Sequence, residues 1–206
     1  DLQTGTTVRA NLTSSGQAAV DGRTLIHSAP SNDGRYIAFT SDTSTFPGYI
    51  APNRFTLYVK DMQTGALVVE SLDASNQPFA PHIWIDLSSD ARYLAFGSLV
   101  NAVTGAEDGD YVYRKDRQTG DFELASIDPA GDSFVDATYR GMSPNGRYIA
   151  LFSADTDTPT GLDTRLYLRD MDFATTLSAH VTPSGTSSGA DATPSEVAVS
   201  NNGYVV

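Results

Sequence analysis

The feature that most constrains this 206-residue chain is an internal repeat. Ser31-Asn-Asp-Gly-Arg-Tyr-Ile-Ala-Phe-Thr-Ser41 returns as Ser88-Ser-Asp-Ala-Arg-Tyr-Leu-Ala-Phe-Gly-Ser98 and as Ser143-Pro-Asn-Gly-Arg-Tyr-Ile-Ala-Leu-Phe-Ser153, then in clipped form as Ser200-Asn-Asn-Gly-Tyr-Val-Val206. The opening serines are 57, 55 and 57 residues apart. A second motif keeps the same beat: Asp1-Leu-Gln-Thr-Gly5, Leu57-Tyr-Val-Lys-Asp-Met-Gln-Thr-Gly65, Val112-Tyr-Arg-Lys-Asp-Arg-Gln-Thr-Gly120 and the degenerate Leu166-Tyr-Leu-Arg-Asp-Met-Asp-Phe-Ala174. A period of this length marks a repeat architecture, in which each unit buries its apolar surface only against its neighbours.

Each period holds four short segments of strand character, for example His82–Leu87, Tyr93–Ser98, Tyr111–Lys115 and Phe122–Ser126, separated by Gly, Asp, Asn or Pro. The Asp-Gly or Asn-Gly step before Arg-Tyr predicts a tight hairpin whose two central residues take positive φ, and the Gln-Thr-Gly steps predict the same between third and fourth strands. One period is therefore a four-stranded antiparallel meander. Its second strand is apolar on both faces, which requires a sheet sandwiched between other sheets. Ile37, Phe39, Leu94, Phe96, Ile149 and Leu151 are thus expected to be buried between blades of an all-β propeller. Composition agrees: 21 of the 25 acids are Asp and 11 of the 13 bases are Arg, so the Glu and Lys that fill exposed helix faces are nearly absent.

The repeated Ser-x-Asp-Gly-Arg-Tyr-Ile-Ala-Phe turn and strand, followed by Leu-Tyr-Val-Lys-Asp, resemble the TolB-like, WD-repeat-like family of bacterial β-propellers along essentially the whole chain. The segments between second and third strands, 42–56, 99–110 and 154–165, are longer than in the simplest members. The resemblance implies an interaction scaffold of the periplasm or extracellular space. It also leaves open propeller enzymes with hydrolase or polysaccharide lyase chemistry.

The chain forms a single propeller region over 1–206. Whole blades are expected at about 24–71, 82–126 and 138–181, with part-blade strands at 6–12 and 196–206. Four periods would need roughly 18 more residues and a further third strand. Three arrangements satisfy this count: ends that pair into an incomplete fourth blade, an excerpt of a larger propeller, or two copies that self-associate through the open terminal blade. The chain opens on Asp1 without a basic, apolar leader, as expected of a mature product or an excised piece.

Thirteen bases against 25 acids give a net charge of −12, which opposes nucleic-acid backbones and anionic membranes. No run of apolar residues is long enough to span a membrane as a helix. The absence of cysteine excludes disulfides and thiol chemistry, and suits an exported protein. Gly185-Thr-Ser-Ser-Gly189 matches a nucleophile elbow in letters only, because Pro183 precedes it where a buried strand is needed. His27, His82 and His180 lack the spacing of zinc ligands. A His27–His82 pair would face a central channel, where the resemblance to propeller lyases implies a metal; strand histidines are more often structural. The repeated Arg35-Tyr36, Arg92-Tyr93 and Arg147-Tyr148 pairs are expected to be structural, since they recur at one strand position. Asn11-Leu-Thr13 is a glycosylation pattern that a bacterial protein would leave bare.

The acidic loops are the candidate site. Asp155, Asp157 and Asp163 in the third blade, and Glu107, Asp108 and Asp110 in the second, each place three carboxylates in a Gly-containing segment, the oxygen-rich surrounding that Ca²⁺ prefers. The alternative is a set of solvated turn acids, and the first-blade loop keeps only Asp42. The expected function is a non-enzymatic exported scaffold for a protein or cell-surface partner, with Ca²⁺ stiffening some loops. The alternatives are a propeller-type hydrolase or lyase, or a carbohydrate-binding module built around Trp84.

Overall fold

Each whole repeat becomes one sheet. The computed structural model describes residues 5–51, 54–72, 79–99, 109–134, 136–155, 163–179 and 197–206, and among these no helix occurs. The first sheet runs β1 (Thr24–Pro30), β2 (Tyr36–Ser41), β3 (Thr56–Asp61) and β4 (Leu67–Val69) in sequence order. The second holds β5 (Pro81–Leu87), β6 (Tyr93–Ser98), β7 (Tyr111–Asp116) and β8 (Phe122–Leu124). The third holds β9 (Ala137–Met142), β10 (Tyr148–Asp155), β11 (Asp163–Asp170) and β12 (Thr175–Ser178). All pairings are antiparallel, and β1 packs on β5 and β5 on β9, so the first strands lie side by side. This is a β-propeller of four-stranded blades, with three whole blades.

Four apolar layers alternate with the three sheets. Ala38, Leu57 and Val59 of the first sheet meet Ile85, Leu94 and Phe96 of the second; Ala95 and Val112 of the second meet Ile149 and Leu151 of the third. The outer layers join Phe39, Phe46 and Tyr58 to Ala19, and Ala150 and Leu168 to Val199. On every second strand a small alanine therefore faces the following blade and larger side chains face the preceding one. Large meets small across each interface, which lets the sheets close to native density. Phe39, Leu94, Phe96, Ile149 and Leu151 are buried as expected. Ile37 is not: it is only half-buried, because the layer it packs against, Phe39, Phe46, Tyr58 and Leu67, has no second sheet over it among the described residues.

The hairpin turns differ from the expected geometry. Gly34 has φ +69°, but Asp33 does not enter the left-handed region. Instead Ser31 Oγ donates to Asp33 Oδ1 (2.6 Å), which also accepts from Arg35 N (3.0 Å), while Gly34 N donates to Ser31 O (2.9 Å). The aspartate serves as an acceptor that folds the turn around itself, so only the glycine needs positive φ. Ser88 with Asp90, and Ser143 with Asn145, repeat the device at 2.6 and 2.7 Å. At the ends of the chain, Thr6–Leu12 carries no strand beyond a single Leu12–Ala18 bridge, and residues 197–206 form a hairpin around a Val199–Val205 bridge.

Candidate functional site

The meander separates two ends of the molecule. At one end lie the short turns after the first and third strands; at the other lie the second-to-third-strand loops and the connections between blades. The turn end is internally satisfied. Arg35 reaches across its blade to Asp61 (2.9 Å), Arg92 to Asp116 (2.8 Å) and Arg147 to Asp170 (2.7 Å). Each arginine also lies 4.8–4.9 Å over the ring of the tyrosine that follows it. The Arg-Tyr pairs are therefore structural, as their repetition implied. Hydrogen bonding from these arginines holds the Asp61, Asp116 and Asp170 carboxyls below the usual carboxylate range. Neighbouring turns are stitched together: Asn32 N donates to Ser89 O (3.0 Å), Ser89 N to Pro144 O (2.7 Å) and Asn145 N to Asn201 Oδ1 (2.9 Å).

The loop end gathers the candidate residues that the structure describes. In the first blade Asp42 accepts from Arg23 N and pairs with the Arg23 guanidinium at 3.2 Å, so this loop acid is a structural partner. Asp21 accepts from the Ser44 and Thr43 hydroxyls, which hold its carboxyl below the ordinary range. In the second blade Asp110 closes the loop: its carbonyl accepts from Ala137 N (2.9 Å), tying the loop to β9. Asp110 Oδ1 is buried with no hydrogen-bond partner among the described residues. A water-sized cavity of about 10 Å³ lies beside it, lined by Trp84, Ser98, Thr138 and Tyr139 among others. In the third blade Asp155 and Asp163 stand directly opposite each other in the β10–β11 register. Glu107, Asp108 and Asp157 lie outside the described residues, as do Gly185–Gly189 and His180. Among the described residues no three His, Cys, Asp or Glu form a group able to hold a metal.

Trp84, on the innermost strand β5, is half-buried and lies against His27 of β1, with ring centroids 4.1 Å apart and the planes tilted by 34°. One face of the indole is thereby taken, and burial keeps the His27 imidazole below its ordinary range. Deeper between β5 and β9, Tyr139 OH donates to Asp86 Oδ2 (3.1 Å), and burial pushes both groups up.

A third repeated element escaped the reading of the sequence. Leu12-Thr-Ser-Ser-Gly-Gln-Ala-Ala19, Leu72-Asp-Ala-Ser-Asn-Gln-Pro-Phe79 and Ile127-Asp-Pro-Ala-Gly-Asp-Ser-Phe134 are one motif that leads from a fourth strand into the next blade. Thr13 Oγ1 accepts from Gln17 N, and Asp128 Oδ1 accepts from the amides of Ala130, Gly131 and Asp132, so the first polar residue caps the turn. Ala19, Phe79 and Phe134 then enter three successive core layers. The recurring Leu/Ile-Thr/Asp step was the available signal.

The class that sheets, turns and layers define is the repeat β-propeller. Three solved structures share this fold: the β-propeller domain of the Trilobed protease from Pyrococcus furiosus (11% identity, 76% of this chain and 41% of that chain, TM-score 0.49), a protein described as TolB from Agrobacterium tumefaciens (21%, 77% and 49%, 0.44), and acylaminoacyl peptidase from Pyrococcus horikoshii (10%, 77% and 24%, 0.46). The chain spans less than half the length of each. At this level the likeness adds nothing to what the sheets establish. No protein-family profile and no curated protein matches the chain.

Proposed function

We infer that the chain is a non-enzymatic, exported propeller scaffold that engages a protein or cell-surface partner through its loop end. The observation that carries this reading is the asymmetry between the two ends. At the turn end the repeated charges are spent on clamps within each blade. The segments that lead into or join strands at the other end, 13–23, 42–55, 70–80, 99–110, 125–136, 156–162 and 179–196, carry thirteen acids and two bases, Arg23 and Arg54, and of these acids Asp42 and Glu70 are paired within the molecule. Such a surface attracts cationic partners and speeds their encounter. Ca²⁺ is the counterion proposed for Asp155, Asp157 and Asp163 and for Glu107, Asp108 and Asp110. The resemblance to TolB-like repeats and the lack of cysteine support a periplasmic or extracellular setting.

Site-specific photo-crosslinking tests this reading. A photoreactive residue replacing exposed Tyr49 at the loop end, or exposed Gln63 at the turn end, is irradiated in the envelope fraction of the source cell. Discrete, salt-sensitive adducts from position 49 alone are expected; equal labelling from both positions, or none from 49, refutes the assignment.

A further inference from the structure

The cavity beside Asp110 lies between two whole blades: Gly97, Ser98 and Tyr111 line it from the second, and Thr138 and Tyr139 from the third. The repeat shows what made room for it. By register Gly97 holds the place of Thr40 in the first blade and of Phe152 in the third, since the three pair with Val112, Leu57 and Leu166. Asp110 stands just before Tyr111, as Phe55 does before Thr56 and Thr164 before Arg165, and these third-strand residues pair with the equivalent Ser98, Ser41 and Ser153. Thr40 and Phe55 are both buried. The second blade has thus given up a side chain at one buried place and set a carboxylate at the other, and packing favours neither exchange. A carboxylate oxygen closed off from water needs a proton donor or a cation in place of its hydration. The wall supplies neither. Asp110 Oδ1 accepts no hydrogen bond, no base lines the cavity among the described residues, and Tyr139 directs its hydroxyl proton to Asp86 Oδ2 (3.1 Å).

We propose that this cavity binds a monovalent alkali cation, Na⁺ or K⁺, on Asp110 Oδ1. Size and charge set the class. At about 10 Å³ the cavity admits one particle as large as a water molecule. One carboxylate matches one positive charge, whereas Ca²⁺ takes six to eight oxygen ligands, more than so small a space offers. The lining residues Ser98, Thr138 and Tyr139 carry hydroxyl oxygens, the hard ligands that such ions take. A water molecule would fill the same space but leave the charge uncompensated, and the field of a chain with net charge −12 favours the cation. Asp110 is only half-buried, so its carboxylate stands between the cavity and solvent and gives the ion a way in. Once bound, the ion fastens Asp110 to β9 beside the bond from Ala137 N to Asp110 O (2.9 Å), and so clamps the second blade to the third. This site is separate from the Ca²⁺ proposed for the acidic loops, and either can fail alone.

The test melts the full chain in EDTA with the chloride of Na⁺, of K⁺ or of N-methyl-D-glucamine, a cation too large for the cavity, all at an ionic strength of about 0.1 M so that screening is equal. Na⁺ or K⁺ should raise the melting temperature by about 2–4 °C over N-methyl-D-glucamine. Asp110→Asn should abolish this difference, and it should also narrow the sodium NMR line that the parent broadens. Coincident melting in the three salts, or a shift that survives Asp110→Asn, overturns the proposal. So does stabilisation by Ca²⁺ alone that Asp110→Asn removes, because Asp110 then belongs with Glu107 and Asp108 in the loop. If Asp110→Asn fails to fold, Thr138→Val decides: the cation shift should shrink, and an undiminished shift overturns the assignment.

Discussion

Arg35 Nη2 lies 2.9 Å from Asp61 Oδ2, tying the turn after the first strand of a blade to the turn after the third. Arg92–Asp116 and Arg147–Asp170 repeat this tie, and the three acids titrate below their ordinary range because of it. A carboxylate whose folded-state pKa is depressed contributes stability above its unfolded value, near 3.9, and loses it as pH falls through the folded value. The melting temperature should therefore drop on acidification below about pH 4. Arg92→Met should cost only a few degrees at pH 7, since the arginine is 39% exposed and its pair is screened. It should also flatten the acid limb, so that variant and parent converge near pH 2. Parallel melting curves across this range would remove the tie as the cause.

Glycines at one repeat position carry unequal constraints. Gly34 and Gly146 both have positive φ, yet a methyl on Gly34 meets open space while one on Gly146 lands 2.4 Å from Tyr93 Cδ2 of the preceding blade. Gly34→Ala should cost about 1 kcal/mol from backbone strain alone. Gly146→Ala adds a clash at a packed interface and should cost about 2–4 kcal/mol. Blade two already has Ala91 there, at φ 58°, in the layer that holds Tyr36, so the geometry is attainable where the neighbouring ring gives way. Equal losses in urea unfolding would show that Tyr93 moves freely.

Glu70 is buried between the first and second sheets, where Lys115 Nζ lies 3.0 Å from one carboxylate oxygen and Arg117 Nε 2.7 Å from the other. Removing one partner of a buried pair strands the rest, at a cost of about 3–5 kcal/mol. Glu70→Gln should approach that range. Pairing Glu70→Met with Lys115→Met should recover part of the loss, because two apolar groups need no counterion. A double variant no more stable than Glu70→Gln would contradict this account.

The strands and their sandwiched burial were legible because Tyr36, Ile37, Ala38 and Phe39 recur with both faces apolar, a pattern that only sheets stacked on sheets satisfy. Turn geometry was not legible. Asp-Gly was read as two residues of positive φ, whereas Asp33 acts through its side chain, and the dipeptide fits both. Ile37 matched Leu94 and Ile149 in sequence but lacks their full-sheet neighbour, a tertiary fact no local pattern carries. The Glu70–Lys115–Arg117 cluster was hidden for the same reason: its members lie 45 and 47 residues apart, and blade two has Ala125 where blade one has Glu70. Of the acidic candidates, Asp110 gained a defined setting, and Asp42 turned out to be an arginine partner.

The third-blade loop gives the most direct test of Ca²⁺. Asp155 and Asp163 sit opposite each other where β10 and β11 meet the loop, and Asp157 follows two residues on. Like charges directly opposite across a strand pair are destabilising, so this loop end should gain from a bound divalent cation. A ligand that binds only the folded state stabilises it by RT ln(1 + [L]/Kd), about 2.7 kcal/mol at a hundredfold excess over Kd, or about 5–10 °C in a domain of this length. Ca²⁺ should act more strongly than Mg²⁺, which demands octahedral geometry and dehydrates reluctantly. Asp157→Asn and Asp163→Asn should each reduce the shift, whereas Asp42→Asn should leave it intact because Asp42 is held by Arg23. Melting curves that coincide in EDTA and in millimolar Ca²⁺ would return these acids to solvent, and the negative loop end would then await a cationic partner alone.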